Sequence, residues 1–204
     1  MGMIYVCGRH VRAGRKLIGW TVAQLAREAQ VPPALIVSLE DDRLEPTGIV
    51  DRVARTLMRA GVRFLVLDEC GMSGVWLNGP IASAQHFRRR AAGAQDSRSS
   101  RRAIRKGIEQ RRLIGTACGL LKWNRRTLAR RAGVAAADLR RSFQLDGPLP
   151  SVLTQALFGA LRAAGVRFQP ADFGCGPGAA LVGGAAWAGH GTLVFVRHQP
   201  RAWE

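Results

Sequence analysis

Between Arg98 and Arg131 lie twelve basic side chains and one acidic one, Glu109. Guanidinium groups at this density repel one another unless anions lie among them, and the phosphates of a nucleic-acid backbone are the simplest such anions. Arg125 and Arg126 suit phosphate clamps, and Arg140 or Arg141 has the reach and the paired donors for O6 and N7 of a guanine. Ala135, Ala136 and Asp138 stand beside them. Asp138 either complements a helix dipole or accepts from a cytosine amino group. Arg101, Arg102, Arg105 and Lys106 would add phosphate contacts or a minor-groove arm. The plain alternative is a solvated arginine-rich face, since 28 of the 31 cations are Arg.

Other chemistries have weaker carriers. Gly174–Gly178 (GCGPG) could cradle an anion, but no helix pattern or Lys-Ser/Thr pair follows, so it reads as a hairpin turn. His10, His86, His190 and His198 have no acidic or cysteine partner at metal-ligand spacing and read as surface residues. Cys7, Cys70, Cys118 and Cys175 form no CxxC pair and read as cytosolic thiols. Cys70 and Cys175 occupy similar places in two hairpins, where a redox link is conceivable. No nucleophilic triad stands out, and the expectation is a non-enzyme with no metal or cofactor.

These residues sit in a chain of 204 residues with net charge +17 and pI near 11.6. Residues 1–90 hold 13 basic and 8 acidic side chains; residues 91–204 hold 18 and 6. Hydrophobic content of 47 % is too high for a wholly disordered chain. No run reaches the roughly 18 apolar residues of a membrane helix, and Met1–His10 is too short and mixed for a signal peptide. A cytoplasmic, nucleoid-associated protein without a membrane partner is expected.

The elements that must position the arginines come from an internal repeat. Gly19–Val31 (GWTVAQLAREAQV) aligns with Lys122–Val134 (KWNRRTLARRAGV) at an offset of 103, with Trp20 on Trp123, Leu25 on Leu128 and Ile36 on Leu139. Thr56–Phe64 (TLMRAGVRF) aligns with Ala160–Phe168 (ALRAAGVRF) at 104. The chain therefore divides into unit one at 1–80, a basic flexible linker at 81–103, unit two at 104–183 and a tail at 184–204. The fold class is mainly α with small β-hairpins (α+β).

In unit one, Thr21 is the expected cap of a helix presenting Leu25, Ala26 and Ala29; Gln30-Val31 makes the turn, and Pro33 starts the next helix through Leu39. A helix over Ile49–Leu57 stops at Gly61, before strands at Val62–Leu67 and Val75–Leu77 around a turn at Asp68–Gly74. Unit two repeats this with Asn124 as cap, a turn at Gly133-Val134, and strands at Val166–Gln169 and Ala180–Val182. Each short hairpin must pack on its own helices or on the other hairpin. A last strand, Thr192–Arg197, is expected to extend their sheet.

Both units resemble the Cro/repressor-type (XRE) helix–turn–helix family. The matching residues are Arg15–Trp20, Leu25–Val31 and Ile36–Glu40 in unit one, and Gly119–Trp123, Leu128–Val134 and Gly176–Gly178 in unit two. The resemblance implies a bacterial, sequence-specific double-stranded DNA-binding transcriptional regulator. It also implies that Arg15 pairs with Glu40, and that Cys118 and Phe143 touch in the corresponding place of unit two.

The two recognition helices differ. Unit one offers Pro32, Pro33, Ala34, Leu35, Val37 and Ser38, with almost no donors, so unit two is the expected base reader. Pro32, Pro33, Leu35 and Val37 are instead candidates for a protein contact or a homodimer, unless Leu35 and Ile36 both point into the core. The competing function is a protein-interaction module, an antiactivator or assembly factor reusing the fold. Non-specific single-strand binding lacks an aromatic stacking platform.

Overall fold

The computed structural model describes residues 3–43, 48–65, 73–78, 98–145, 147–169, 177–182 and 194–197. It is mainly helical with small antiparallel sheets. Strand β1 (Met3–Val6) leads into α1 (Gly8–Ile18), α2 (Val22–Ala29), α3 (Pro33–Glu40), α4 (Gly48–Arg59), β2 (Val62–Leu65) and β3 (Ser73–Leu77). The second series is α5 (Arg98–Leu120), α6 (Arg125–Ala132), α7 (Ala136–Gln144), α8 (Ser151–Ala163), β4 (Val166–Gln169) and β5 (Gly178–Leu181), with β6 (Val194–Arg197) last.

Local chemistry sets the helix ends. Thr21 Oγ1 accepts from the Gln24 backbone N–H at 3.1 Å while Gln24 Oε1 accepts from the Thr21 N–H at 2.8 Å, a reciprocal capping box. Asn124 Oδ1 caps α6 by accepting from the Thr127 N–H at 2.9 Å. Pro33 occupies the first turn of α3, where its missing N–H costs nothing.

The repeat is legible in the backbone torsions. Left-handed residues recur at Gly19 (φ 73°) and Lys122 (54°), at Gln30 (54°) and Gly133 (64°), and at Gly61 (93°) and Gly165 (88°). Gln30 and Gly133 fill the same turn, where a Cβ meets a steric penalty. Gln30→Gly is therefore expected to stabilise the protein by about 0.5–1 kcal/mol, seen as a higher urea midpoint. An unchanged or lower midpoint would mean that the turn is not strained.

The units join about an internal pseudo-twofold axis. The hairpins form one four-stranded antiparallel sheet, in the order β2-β3-β5-β4. Across the β3–β5 seam, Val75 faces Ala179, Gly74 faces Ala180 and Trp76 faces Gly178. At an offset of 104, Val75 and Ala179 are equivalent positions and thus lie on the axis. Gly74 and Gly178 are also equivalent, and an added Cβ would come within 2.3 Å of the Ala179 carbonyl oxygen or 2.4 Å of Trp76 Cβ. Equivalent helices α1 and α5 likewise pack on each other, with Gly119 against the Ala13 backbone. This is the self-complementary geometry of a twofold dimer, here within one chain. A single core runs through both units, including Leu17, Leu57 and Val75 from one and Ile114, Leu157 and Leu181 from the other.

Three expectations need correction. The last strand does not extend the hairpin sheet: β6 pairs with β1, Met3 opposite Arg197 and Val6 opposite Val194, in a separate two-stranded sheet. Residues 98–103, assigned to the flexible linker, are the first turns of α5; residues 81–97 lie outside the described residues. His10 is not a surface residue but 4 % exposed. The turn residues 68–72 and 174–176, with Cys70 and Cys175, lie outside the described residues, as do His86, His190 and His198.

Candidate nucleic-acid interface

Helices α6 and α7 form the helix–turn–helix of unit two. Gly133 in the left-handed conformation reverses the chain, and the Val134 N–H donates back to the Ala129 carbonyl at 3.0 Å. Leu128, Ala129 and Leu139 anchor the pair in the core, leaving its other face to solvent. On that face Arg125, Arg126, Ala135, Ala136, Asp138, Arg140 and Arg141 are all exposed.

The electrostatics of this face favour an incoming anion. Arg125 and Arg126 are the first two residues of α6, whose first turn has no acid. Cations there oppose the helix dipole, and an anion on the free backbone N–H groups relieves both charges. Asp138 sits in the first turn of α7, where the dipole favours it. Among the described residues it pairs with Arg141 at 4.0 Å, with side chains 63 % and 76 % exposed. Such a pair is worth about 0–1 kcal/mol and leaves Arg141 mobile enough for another partner. Arg125 differs from Arg126: its guanidinium lies 5.4 Å from the Phe143 ring centroid, tying the start of α6 to the last turn of α7.

The remaining predicted cations stand on another element. Arg102, Arg105 and Lys106 are exposed on the early turns of α5, while the side chain of Arg101 lies outside the described residues. Gly107 abuts the Gly147 carbonyl, and Arg111 donates to the carbonyls of Ser142 (2.9 Å) and Gly147 (2.7 Å). This part of α5 therefore flanks the segment after α7, not the N-terminus of α7.

Unit one presents a different surface. Pro32, Pro33, Ala34 and Val37 are exposed, with Val37 at 48 %. Ile36 is fully buried and Leu35 half-buried, so only Ile36 of that pair belongs to the core. At the C-terminal end of α3, Glu40 accepts from Arg15 Nε at 2.6 Å and Nη2 at 2.7 Å, both side chains being about 6 % exposed. Arg15 Nη1 also donates to the Trp20 carbonyl at 3.0 Å. In unit two the corresponding Cys118 and Phe143 border one cavity. Burial pushes the Cys118 thiol up to about 12, so it stays protonated and unreactive.

Two arrangements escaped sequence reasoning. One is that cavity, whose lining includes Arg12, Lys16 and Arg125; the signal for it lies in comparing the units residue by residue. The other is a buried chain, Cys7–His10–Ser73. The Cys7 N–H donates to His10 Nδ1 at 3.3 Å, leaving Nε2 as the N–H that donates to Ser73 Oγ at 2.6 Å. The Cys7 thiol lies 3.1 Å from Nδ1. Burial raises the thiol and lowers the imidazole to about 4, so both groups are neutral and the chain acts as a structural tie from α1 to β3.

Among the described residues, no cluster of His, Cys, Asp or Glu could hold a metal ion. Among them, too, no helix is long and apolar enough to cross a membrane. No protein-family model, no curated protein and no solved structure matches this chain.

Proposed function

We propose that this chain is a sequence-specific double-stranded DNA-binding transcriptional regulator whose two helix–turn–helix units act as a covalent pseudo-dimer, with unit two as the main base reader. The observation that carries the reading is the exposed cationic face of α6 and α7, with Arg126 in the first turn of α6 and Arg140 and Arg141 on the C-terminal half of α7, the helix in the recognition position. The resemblance to the XRE family supports it. So does the net charge of +17. Because α3 has no comparable donors, the bound site is asymmetric, or only its unit-two half is read.

The test is selection of genomic fragments by the purified chain at near-physiological salt with excess competitor DNA, followed by binding curves on the recovered motif. Arg140→Ala/Arg141→Ala is expected to lose about 10–100-fold per base-contacting arginine on that motif while keeping weak, salt-sensitive binding. Arg126→Ala should weaken all sequences alike and lower the salt slope by about 1. Retention without a motif, collapsing steeply with salt, would end the regulator reading.

A second reading, a protein-interaction module of the antiactivator or assembly-factor kind, is favoured by the exposed apolar residues of α3, Pro32, Pro33 and Val37, with half-buried Leu35 beside them. Under it, Arg140→Ala/Arg141→Ala leaves activity intact and Val37→Asp abolishes it.

A further inference from the structure

Unit one carries Arg12, Arg15 and Lys16 on one face of α1, at the i, i+3, i+4 spacing that places side chains together. At the 103-residue offset, unit two has Gly115, Cys118 and Gly119. Three long cationic side chains are thus reduced to two hydrogens and a thiol on one face of α5. In unit one Arg15 and Glu40 close the corresponding place with their buried ion pair. In unit two, Cys118 and Phe143 leave a cavity of about 440 Å³ between α1, α5, α6 and α7. That lies within the roughly 300–1,000 Å³ typical of small-molecule sites.

The cavity is built for one ligand chemistry. Ile114, Leu128 and Phe143 give it apolar walls, Arg12, Lys16, Arg111, Arg112 and Arg125 give it positive charge, and among the described residues no carboxylate lines it. Arg12 already faces Glu40 and Asp41 at 4.0 and 3.8 Å. Lys16 has no ion pair among the described residues, and Arg125 rests on the Phe143 ring. The Lys16 ammonium is disfavoured by burial first, then by the charges of Arg15, Arg12 and Arg125, with Glu40 acting in its favour. An anion beside it reverses that balance, since a hydrogen bond between paired charges is stronger than one between neutral groups.

We propose that this cavity binds a small organic anion, its carboxylate or phosphate group between Lys16 and Arg125 and its apolar body against Ile114, Leu128 and Phe143. Arg125 also opens α6, so an occupied cavity draws that guanidinium away from DNA phosphate and weakens DNA binding. This consequence rests on the function proposed above; the binding itself does not.

The test uses the full chain without DNA, so its failure is distinct from failure of the DNA-binding reading. The probes are 1-anilinonaphthalene-8-sulfonate, an aromatic anion, and N-phenyl-1-naphthylamine, its uncharged relative, followed by fluorescence. Saturable one-to-one binding of the sulfonate is expected, displaced by octanoate and not by octanol. Lys16→Gln should weaken the sulfonate by about tenfold or more, as expected for a lost charged hydrogen bond, and leave the neutral dye unchanged. Cys118→Leu, which puts a branched chain into the cavity, should abolish both. Non-saturable binding, or binding untouched by either variant, overturns the site. Loss of both dyes in Cys118→Leu with full sulfonate binding in Lys16→Gln overturns the anion assignment. Should Cys118→Leu fail to fold, Lys16→Gln decides alone, because Lys16 lines the cavity without belonging to the buried core and Gln keeps most of its stem.

Discussion

Glu40→Ala should cost about 3–5 kcal/mol of folding stability, a large part of the 5–15 kcal/mol that holds a domain together. The magnitude follows from what the substitution leaves behind. Arg15 Nε and Nη2 lose both carboxylate acceptors, at 2.6 and 2.7 Å, and the Trp20 carbonyl remains on Nη1. Arg15 is 5 % exposed, so water cannot take the carboxylate's place without opening the α1–α3 contact. Arg12, whose Nε is 4.0 Å from Glu40, adds a second cation to the same neighbourhood. Removing both partners is a different operation. Arg15→Met/Glu40→Leu leaves no charge to desolvate and should fall within about 1–2 kcal/mol of the parent protein, near the value of a lost neutral hydrogen bond to Trp20. The chain itself contains this solution, with Cys118 and Phe143 at the corresponding positions of unit two. Urea unfolding of the two singles and the double gives the coupling directly. A double variant as unstable as the sum of the singles would show that packing, not the buried charge, sets the cost.

The amino-acid sequence makes legible whatever is local or repeated. Thr21, Asn124 and Pro33 mark helix starts through groups one turn away, and each stands where its chemistry placed it. Gly61 and Gly165 end helices and begin strands in both units, and comparing the units fixed those boundaries to within a residue or two. The β1–β6 pairing was not legible, because it joins Met3–Val6 to Val194–Arg197 across nearly the whole sequence, with no short turn between them to announce it. Helix α5 starts at Arg98, earlier than expected, because small and polar residues before it resemble a linker while Arg and Ala are themselves good helix formers. The cavity was harder still. It is made by what Gly115, Cys118 and Gly119 lack, and an absence shows only against Arg12, Arg15 and Lys16 in the other copy. His10 was missed for a different reason. Arg9 and Arg12 around it have the look of a surface turn, yet His10 shares the inward helical phase of Ala13, Gly14 and Leu17, all buried.

That buried histidine gives the second large effect, a loss of stability in mild acid. In the folded protein the His10 imidazole is lowered from 6.5 to about 4, by burial first and then by the neighbouring Arg9 charge, with Asp42 opposing. A lowered folded value means that the unfolded chain binds the extra proton between about pH 6.5 and 4, so stability rises with pH across that window and is lost as pH falls through it. The loss is about 2 kcal/mol at pH 5 and about 3 kcal/mol near pH 4. The structural cost has a named cause. Protonation turns Nδ1 from an acceptor of the Cys7 N–H into a donor facing it, and places positive charge beside Arg9 in a site sealed by Phe64. The tie from the start of α1 to Ser73 on β3 then competes with solvating the imidazolium, so β3, the strand at the seam between the units, is the expected place of first opening. Urea midpoints at pH 7, 6 and 5 measure the effect above the range where carboxylates titrate. His10→Gln should be less stable at pH 7, having lost the ring from the core, but its stability should depend much less on pH between 7 and 5. Equal slopes for the two proteins would assign the acid sensitivity to other groups, and a steeper slope in the variant would reverse the sign argued here.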